Sequence, residues 1–455
     1  MAKSRSSYVY FAQLTLTNVK SFAEGQVLDL RDKSGRPAQW TLILGDNGVG
    51  KTTLLQCLAL MRPIASTEKG SAADAFASAP DRVVPGITGR ENADIIALAR
   101  MSAVNVAIEA NLIAGRRLNG VGGRSFPLRV FVSIEMEARK RDLKNFEPSE
   151  SVIAGFTSPL VVGYSAARHM RFLRGDPARA VDDATESLFD ASVELVDAED
   201  ILQRLDYAGL RGGKTAGALL NRLKAALAKL LPDVERGEDI SLNGPATPGN
   251  ETAKTGVQVK TPYGEVPIAV LSLGYQTVTA LAVDLAWKLF ERYPKSGDPL
   301  QEPAVVLIDE IDLHLHPVWQ RSIKKTLSEF FPQVQFIATA HSPLMAQSFL
   351  EDNIVVLKRQ GDHVEIESDP AVISKWRLDE IITSDLFGLR SPYPPEIDAA
   401  LDERAKLLQL ARRTPKQKAR LAELQRVVAS LPSEDNPRDQ AVLDRLRSAA
   451  DALSE

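Results

Sequence analysis

The chain of 455 residues is long enough for two or three ordinary domains, or for one domain with a large insertion. Hydrophobic residues make up 44% and charged residues 25%, a globular balance that argues against disorder over most of the length. The 55 basic and 59 acidic side chains give a net charge of −4, whereas a protein that coats nucleic acid is usually basic. The single cysteine, Cys57, excludes a disulfide within the chain and a zinc site built on several cysteines.

The pattern of apolar residues predicts neither a secretory signal nor a transmembrane helix. Residues 1–7 are polar and basic, and no apolar stretch of signal-peptide type follows them. The longest apolar run, residues 270–289, is interrupted by polar and charged side chains that include Asp284 and Lys288. We therefore expect a cytoplasmic protein that does not enter the membrane.

The first sixty residues predict three strands, a glycine loop and a helix. Apolar and polar side chains alternate over residues 8–18, as in a half-buried strand. Shorter apolar stretches predict strands over 26–30 and 40–44, and apolar residues at helical spacing predict a helix over 52–61. Residues 63–88 are rich in Ala, Ser, Pro and Gly and lack periodicity, which predicts a surface loop or a poorly ordered insertion.

Strands and helices alternate in the rest of the chain, and no internal repeat is present. Strands are predicted over 104–114, 128–138, 160–163, 304–309 and 335–340, with a hairpin over 256–268. Helices are predicted over 188–231 with a break at 209–213, over 275–292, over 317–331 and, in two or three pieces, over 396–453. Residues 237–255 predict a loop. The continuous apolar run at 304–309 is typical of a strand in a parallel sheet, and the whole pattern predicts an α/β fold.

A phosphate-binding loop lies between the third predicted strand and the first predicted helix. Its residues, Gly45-Asp46-Asn47-Gly48-Val49-Gly50-Lys51-Thr52, match G-x-x-x-x-G-K-[ST] in full. The glycines let backbone N–H groups surround a phosphate, and the helix directs its positive end at the same group. Lys51 is expected to reach the β- and γ-phosphate oxygens, and Thr52 to give a hydroxyl to Mg²⁺. We predict that residues 45–53, Thr53 included, bind ATP.

An acidic pair follows the predicted strand 304–309. Four apolar residues, 305–308, precede Asp309 and Glu310. Because ligands bind at the carboxyl ends of parallel strands, Asp309 is expected to hold Mg²⁺ together with Thr52. Glu310 is then placed to orient or deprotonate the attacking water. The sequence therefore predicts catalytic roles for Lys51 and Glu310.

Three further motifs resemble those of ABC-type ATPases. Leu271-Ser272-Leu273-Gly274-Tyr275-Gln276 resembles the signature motif, residues 311–317 resemble the D-loop, and His341 resembles the switch histidine. The P-loop, signature, acidic strand, D-loop and histidine follow one another as they do in that family. The resemblance implies an ABC-type P-loop ATPase head, a mixed sheet with flanking helices, formed by residues 1–62 and 256–365. It also implies a strand-containing and helical insertion over 63–255 and a helical, partner-docking C-terminal region over 366–455.

Details of the motifs resemble the RecF, SMC and OLD-type branch of the family. Residues 11–22 resemble the opening of these ATPases, and residues 313–317 and 339–343 resemble their segments around the D-loop and histidine. Transporter ATPases place the signature close behind the P-loop, whereas here Lys51 and Ser272 are 272 − 51 = 221 positions apart. The intervening residues lack sustained heptads, so an SMC-like coiled coil is not expected.

The resemblance implies a mechanism in which two heads enclose two ATP molecules. Ser272 and Gly274, with Gln276 as a further nucleotide-binding candidate, would contact ATP bound by the partner head. Asp312 would lie at the interface, and His341 would sense the γ-phosphate as a third catalytic residue. We therefore expect ATP and Mg²⁺ as ligands and a homodimer or higher homo-oligomer through ATP-sandwiched heads.

The C-terminal region contains no sign of a nuclease. Residues 342–455 lack an Asp-x-Asp pair, and His363 is their only histidine. Residues 376–389 resemble a segment of stand-alone ATPases of bacterial defence operons, and the Septu-type ATPase is the nearest likeness. The resemblance implies an anti-phage sensor and scaffold that controls a nuclease supplied in trans, an HNH-type nuclease being favoured. The alternative is a RecF-like repair or recombination ATPase that acts on DNA without such a partner.

Other residues leave more than one interpretation open. The pair His314 and His316 could bind a metal or be structural. Arg168 could reach phosphate or DNA or form a surface ion pair, and the basic residues 139–144 are favoured as a solvated face over a DNA site. The helices of 396–453 could dock a partner or pack on their own head.

Overall fold

The protein is described by a computed structural model that covers most of the chain. The residues described are 8–65, 82–100, 103–115, 118, 125–137, 143–153, 156–167, 183–193, 195, 197–231, 234–243, 256–349, 353–368, 378–383, 391, 393–410, 412 and 414–429. Arg168, residues 139–142, most of the segment 376–389 and residues 430–455 lie outside this description, and so do the interpretations attached to them. Packing divides the chain into two units, Met1–Phe387 and Gly388–Glu455.

The first unit contains strands from Val9 to Ser368. They are β1 Val9–Thr17, β2 Gln26–Asp29, β3 Trp40–Gly45, β4 Pro63–Ala65, β5 Arg82–Pro85, β6 Asn105–Ala114, β7 Phe126–Met136, β8 Leu143–Pro148, β9 Ser151–Val152, β10 Val161–Tyr164, β11 Ile240–Asn243, β12 Gly256–Thr261, β13 Gly264–Pro267, β14 Ala304–Ile308, β15 Val334–Ala340, β16 Asn353–Gln360 and β17 His363–Ser368. Its helices are α1 Lys51–Leu60, α2 Asn92–Ile96, α3 Ala198–Leu210, α4 Lys214–Leu230, α5 Leu273–Arg292, α6 Pro317–Phe330, α7 Pro343–Ser348 and α8 Leu378–Thr383.

A mixed sheet forms the centre of this unit. Within the described residues its strand order is β10-β14-β15-β3-β16-β17. The first five strands in this order, β10, β14, β15, β3 and β16, pair in parallel with their neighbours. Strand β17 pairs antiparallel with β16. The carboxyl ends of β14, β15 and β3 therefore lie side by side at one edge. The predicted α/β fold, a mixed sheet with flanking helices, is confirmed.

Both faces of the central sheet are covered, which explains the continuous apolar run in β14. Val306 and Ile308 point into a core that includes residues of α3 to α6, such as Leu202 and Leu285. Val305 and Leu307, on the opposite face, belong to a core shared with α1 and β1. Successive strand residues point to opposite faces, so a strand buried on both sides needs apolar residues at every position.

A second, antiparallel sheet packs over α1 and has the order β2-β1-β6-β7-β8. Strands β6, β7 and β8 come from the predicted insertion 63–255, as does β10 of the central sheet. The insertion thus shares both sheets with the residues around it, and its boundaries remain a prediction.

Two of the predicted loops contain strands. Residues 63–88 include β4 and β5, which pair with each other and with β9, and residues 237–255 include β11, which pairs with β12. The loop predictions are therefore wrong at these positions. Strands of three or four residues are too short to show the period-two pattern on which a strand prediction depends.

The second unit contains α9 Pro395–Gln409 and α10 Pro415–Ala429 among its described residues. The guanidinium of Arg420 donates to both carboxylate oxygens of Glu403 and links the two helices. Across the part of the chain that is described, no helix is both long and apolar enough to span a bilayer.

Candidate nucleotide-binding site

The predicted phosphate loop connects β3 to α1 and has the backbone conformation that its glycines permit. Gly48 and Gly50 have φ angles of 76° and 99°, values that L-residues with a side chain rarely adopt. A Cβ on Gly50 would lie 2.6 Å from the hydroxyl of Ser21 and 3.0 Å from the ring of Phe22. Gly50 is the N-cap residue of α1 and has no side chain to accept a hydrogen bond from the helix. The first N–H groups of α1 therefore face the loop without a side-chain cap.

The other loop residues divide into an exposed tip and a buried base. Asp46, Asn47 and Gly48 are exposed, whereas Val49 and Thr53 are buried. The hydroxyl of Ser21 donates to the carbonyl of Val49 at 3.2 Å. The loop therefore presents its tip to solvent while the turn after β1 supports its base.

Lys51 lies inside the loop with its side chain buried. Its Nζ donates to the carbonyl oxygens of Gly45 at 2.7 Å and Asp46 at 2.8 Å. Burial lowers the pKa of Lys51, and the shift is opposed by the nearby carboxylates of Asp309, Glu310, Asp46 and Asp312. The ammonium group is thus held within the loop, between backbone carbonyls and the acidic end of β14.

The two residues predicted to hold Mg²⁺ are in direct contact. The hydroxyl of Thr52, which is exposed, donates to Oδ2 of Asp309 at 2.7 Å. Asp309 follows the last residue of β14, is 6% exposed, and donates its backbone N–H to the carbonyl of Tyr164 at 2.8 Å. A hydroxyl and a carboxylate so placed are oxygen ligands of the kind that Mg²⁺ prefers, so the donor set fits the ion.

Glu310 and His341 lie at the ends of neighbouring strands. Oε1 of Glu310 is 3.9 Å from Nε2 of His341, and both side chains are about one-third exposed. Glu310 has a φ of 48°, a left-handed conformation that is uncommon for a residue with a side chain. The two predicted catalytic residues are therefore brought together at the edge where Thr52 and Asp309 meet.

Asp312 connects the D-loop segment to His341. Its Oδ2 accepts a hydrogen bond from the backbone N–H of His341 at 3.0 Å. Its Oδ1 is buried and has no hydrogen-bond partner among the described residues. The predicted role of Asp312 between heads stays a prediction, but within the chain it fixes the position of the histidine backbone.

The signature residues contact the D-loop segment of their own chain. Gly274 is buried in the first turn of α5, and a Cβ there would overlap the carbonyl oxygen of His314. The side-chain amide of Gln276 donates to the carbonyls of Ala269 and Leu271, which precede α5. Ser272 is exposed at the N-cap of α5, where its side chain makes no capping hydrogen bond. Nucleotide contact by Ser272, Gly274 and Gln276 therefore remains a prediction.

The histidine pair has a structural place in this segment. The ring Nδ1 of His316 accepts a hydrogen bond from the N–H of Val318 at 3.4 Å and caps α6. His314 has a φ of 63°, and its carbonyl is the atom that contacts Gly274. Both observations favour the structural interpretation of the pair.

Sequence reasoning missed Thr339 and Tyr164. Thr339 is completely buried on β15 and hydrogen-bonds to both Asp309 and Glu310. Tyr164 on β10 donates its hydroxyl to the buried carboxylate of Asp284 on α5 at 2.7 Å. A signal for Thr339 was available, because period two places it on the strand face that leads to His341.

Two family models match this chain. One, described as an AAA domain, putative AbiEii toxin, Type IV TA system, matches residues 175–346, which include the signature, the acidic pair and His341. The other, described as an AAA domain, matches residues 13–71, which include the phosphate loop.

Curated relatives with similar sequences carry related names. The chain is 40% identical over 139 residues to the Retron Ec83 probable ATPase of Escherichia coli, covering 30% of this chain and 24% of the relative. It is 24% identical over 417 residues to the Septu protein PtuA of Bacillus mycoides (strain KBAB4), covering 91% of this chain and 50% of the relative. The chain thus spans half or less of the length of these relatives. These matches confirm the resemblance that the sequence motifs indicate, to an ABC-type ATPase with a likeness to the Septu-type ATPase.

Among solved structures, the SMC head domain from Thermotoga maritima matches 80% of this chain over its own full length. The sequence identity is 15% and the TM-score 0.38.

Proposed function

We propose that this chain is an Mg²⁺-dependent ATPase that binds and hydrolyses ATP at the edge formed by β3, β14 and β15. The observation that carries the proposal is the contact of Thr52 with Asp309 at 2.7 Å, next to a buried lysine and a partly exposed Glu310. These groups come from two segments more than 250 residues apart, and only the strand order brings them together.

Each group has a distinct role in the proposed reaction. The uncapped N–H groups of α1 and the glycine-shaped loop would bind the phosphates, and Lys51 would neutralise their charge. Thr52 and Asp309 would hold Mg²⁺, which when bound supplies positive charge to the phosphate oxygens. Glu310 would accept a proton from the attacking water, and His341 beside it would contact the γ-phosphate.

The proposal is tested with two variants in a steady-state ATPase assay and a nucleotide-binding assay. Lys51→Ala removes a charge-assisted donor, and the Kd for ATP is expected to rise about 10- to 100-fold. Glu310→Gln keeps the shape of the site, so ATP binding should persist while turnover falls about 100-fold or more. Glu365→Gln, on the exposed face of β17, is the control and should behave as the parent protein. Full turnover by Glu310→Gln would refute the assigned mechanism.

The proposed assembly is a homodimer of heads around two ATP molecules. It is supported by the exposed Ser272 at the N-terminus of α5, which could meet a phosphate bound by a second copy. In sedimentation velocity, Glu310→Gln should shift to a dimer when ATP and Mg²⁺ are added. An unchanged sedimentation coefficient would contradict the sandwich.

The proposed biological role is that of a sensor and scaffold in an anti-phage defence complex with a nuclease supplied in trans. Similarity to proteins named as a retron probable ATPase and a Septu protein supports this role. The test is a pull-down of tagged Glu310→Gln from its native host with ATP and Mg²⁺, read by mass spectrometry. Stoichiometric recovery of a nuclease, expected to be of the HNH type, would support it. Recovery of the ATPase with DNA alone would favour a RecF-like repair ATPase instead.

A further inference from the structure

Thr339 is a buried residue that touches both carboxylate residues of the site. It lies on β15 with no exposed surface, two positions before His341. Its hydroxyl donates to Oδ1 of Asp309 at 2.7 Å and accepts the backbone N–H of Glu310 at 2.7 Å. One side chain on a neighbouring strand therefore connects the carboxylate expected to hold the metal with the backbone of the expected base.

The single hydroxyl hydrogen of Thr339 orients the carboxylate of Asp309. Because the hydrogen is directed at Oδ1, the other oxygen, Oδ2, is the one that faces the hydroxyl of Thr52. A carboxylate with one oxygen tied from behind loses the freedom to rotate about its last bond. The oxygen that faces the phosphate loop is thereby fixed before any ligand arrives.

The same hydroxyl stabilises an unfavourable backbone conformation at Glu310. A left-handed φ is strained at a residue with a side chain, so surrounding contacts must hold it there. Thr339 provides two of them: its hydroxyl accepts the N–H of Glu310, and its carbonyl accepts the N–H of Ile311 at 2.9 Å. The direction of the Glu310 side chain toward His341 therefore depends on Thr339.

We propose that Thr339 is a positioning residue for ATP hydrolysis, which aligns Asp309 for the metal and Glu310 for the water through one hydroxyl. The inference rests on the proposed ATPase function. It predicts that loss of the hydroxyl impairs turnover and Mg²⁺ use while leaving Mg²⁺-free nucleotide binding by the phosphate loop in place.

Three variants of the full chain separate this role from simple packing. Thr339→Val keeps the branched shape and removes the hydroxyl, whereas Thr339→Ser keeps the hydroxyl and removes the methyl group. Thr279→Val on α5 is the matched control, because the Thr279 hydroxyl is also completely buried but has no hydrogen-bond partner among the described residues. Replacing an unpaired hydroxyl by a methyl group should be neutral or stabilising.

The measurements are kcat, the Mg²⁺ concentration for half-maximal turnover, and binding of a methylanthraniloyl ATP analogue with EDTA or with Mg²⁺. For Thr339→Val we expect kcat to fall about 10- to 100-fold, because misplaced groups lose most of their catalytic advantage. The half-maximal Mg²⁺ concentration should rise, and binding in EDTA should stay within about twofold of the parent protein. Thr339→Ser should restore kcat and the Mg²⁺ response to within a few-fold, and Thr279→Val should leave all three readouts unchanged.

The outcomes distinguish the inference from the proposed function. No turnover by the parent protein would overturn both. Turnover by the parent with unchanged kcat and Mg²⁺ response in Thr339→Val would overturn the positioning role alone. Loss of analogue binding by Thr339→Val in EDTA would show that Thr339 acts through packing. So would a Thr339→Ser protein whose kcat is as low as that of Thr339→Val. Because the serine variant tests the hydroxyl directly, the inference can be refuted even where Thr339→Val does not fold.

Discussion

Gly274 lies in the first turn of α5, where alanine is normally the better helix former. Helix propensity alone would make Gly274→Ala stabilising by up to about 1 kcal/mol. The backbone carbonyl of His314 occupies the place of the new methyl group, so one of the two segments must move. Overpacking of this kind typically costs about 1–3 kcal/mol, and we expect the net effect to be destabilising.

The measurement for Gly274→Ala is the free energy of unfolding from urea titration. Gly297→Ala is the control, because a Cβ at Gly297 meets no atom within 4 Å and its φ is not positive. A Gly274→Ala protein as stable as this control would show that the D-loop segment can move away from the new methyl group without a loss of stability. Its ATPase rate would then report whether the close contact matters for function.

Cys57 is expected to make the free energy of unfolding fall at alkaline pH. Burial in α1 raises the pKa of its thiol from 9.0 to about 12, and nearby Lys20 opposes the shift only in part. Between these values the unfolded chain releases the thiol proton while the folded chain keeps it. The raised folded-state pKa therefore contributes stability that is fully present below pH 9 and is lost as the pH rises, by about 1.4 kcal/mol per pH unit.

Urea titrations at several pH values between 8 and 11 test this sign. The free energy of unfolding of Cys57→Ala should fall less steeply with pH than that of the parent, by the slope of one proton. The cavity left by the thiol lowers stability equally at every pH and so does not affect the slope. Tyr293, whose pKa burial also raises, contributes equally to both proteins. Parallel curves would contradict the assignment.

At the residue scale, the sequence identifies the side chains that belong to a contiguous motif with fixed spacing. Lys51 and Thr52 are recognised because the phosphate loop needs its residue types at fixed spacing. Thr339 and Gly274 lie in segments that resemble known motifs, but the contacts of Thr339 with Asp309 and of Gly274 with His314 have no such signature. They depend on which segments meet in space, and a hydroxyl or a glycine has many other uses along a chain.

At the scale of elements, periodicity predicts the strands and helices that carry the site. The predicted strand 40–44 is β3, the predicted helix 52–61 is α1, and the predicted strand 335–340 is β15, each within about a residue of its observed bounds. The hairpin of β16 and β17 was not predicted, although β16 pairs with β3 in the central sheet. Strand order is decided by pairing between distant segments, and a local pattern contains no information about the partner.

Helix α5 contains a buried charge that ties it to the central sheet. Oδ1 of Asp284 accepts from Nζ of Lys288 at 2.9 Å, and Oδ2 accepts from the hydroxyl of Tyr164 at 2.7 Å. Asp284→Ala would leave a lysine and a tyrosine hydroxyl without their buried partner. Lys288 is about one-quarter exposed and can turn to water, but the buried hydroxyl of Tyr164 loses this acceptor, a loss that typically costs about 1–3 kcal/mol.

Thermal and urea unfolding of Asp284→Ala measure this cost. The matched control is Asp200→Ala on α3, because Asp200 and Arg204 form an exposed pair at the same i,i+4 spacing. An exposed helical pair contributes about 0.3–0.5 kcal/mol, so the control should lose little. Similar losses in the two variants would show that burial of Asp284 adds nothing to the interaction.

At the scale of the whole molecule, the site depends on segments brought together from both ends of the first unit. Residues 63–255 separate the phosphate loop from the signature in sequence, yet they supply strands to both sheets. The family resemblance implies an insertion there, and neither composition nor periodicity reveals that β6 pairs with β1. The segments before and after residues 63–255 therefore fold together with those residues as one unit. The phosphate loop and the signature cannot be treated as independent of the residues between them.

A complementation experiment tests whether the active unit is one copy of the chain or two. Lys51→Ala disables the phosphate loop, and Ser272→Glu places a carboxylate at the exposed N-terminus of α5, where it would repel a phosphate of the partner's ATP. Each variant alone should be nearly inactive. In a mixed dimer, the intact loop of one protomer would face the intact signature of the other, so mixing should restore measurable ATPase activity.

Two controls make the result decisive. A variant that carries both substitutions, mixed with Lys51→Ala, leaves no intact pair of loop and signature and should stay inactive. Ser272→Glu should still bind ATP in its own loop, with a Kd close to that of the parent protein. If Ser272→Glu alone hydrolyses ATP at the parental rate, the site is complete within one chain. Failure of the mixture, despite mixed dimers seen by sedimentation, would mean instead that both sites must be intact before either one turns over.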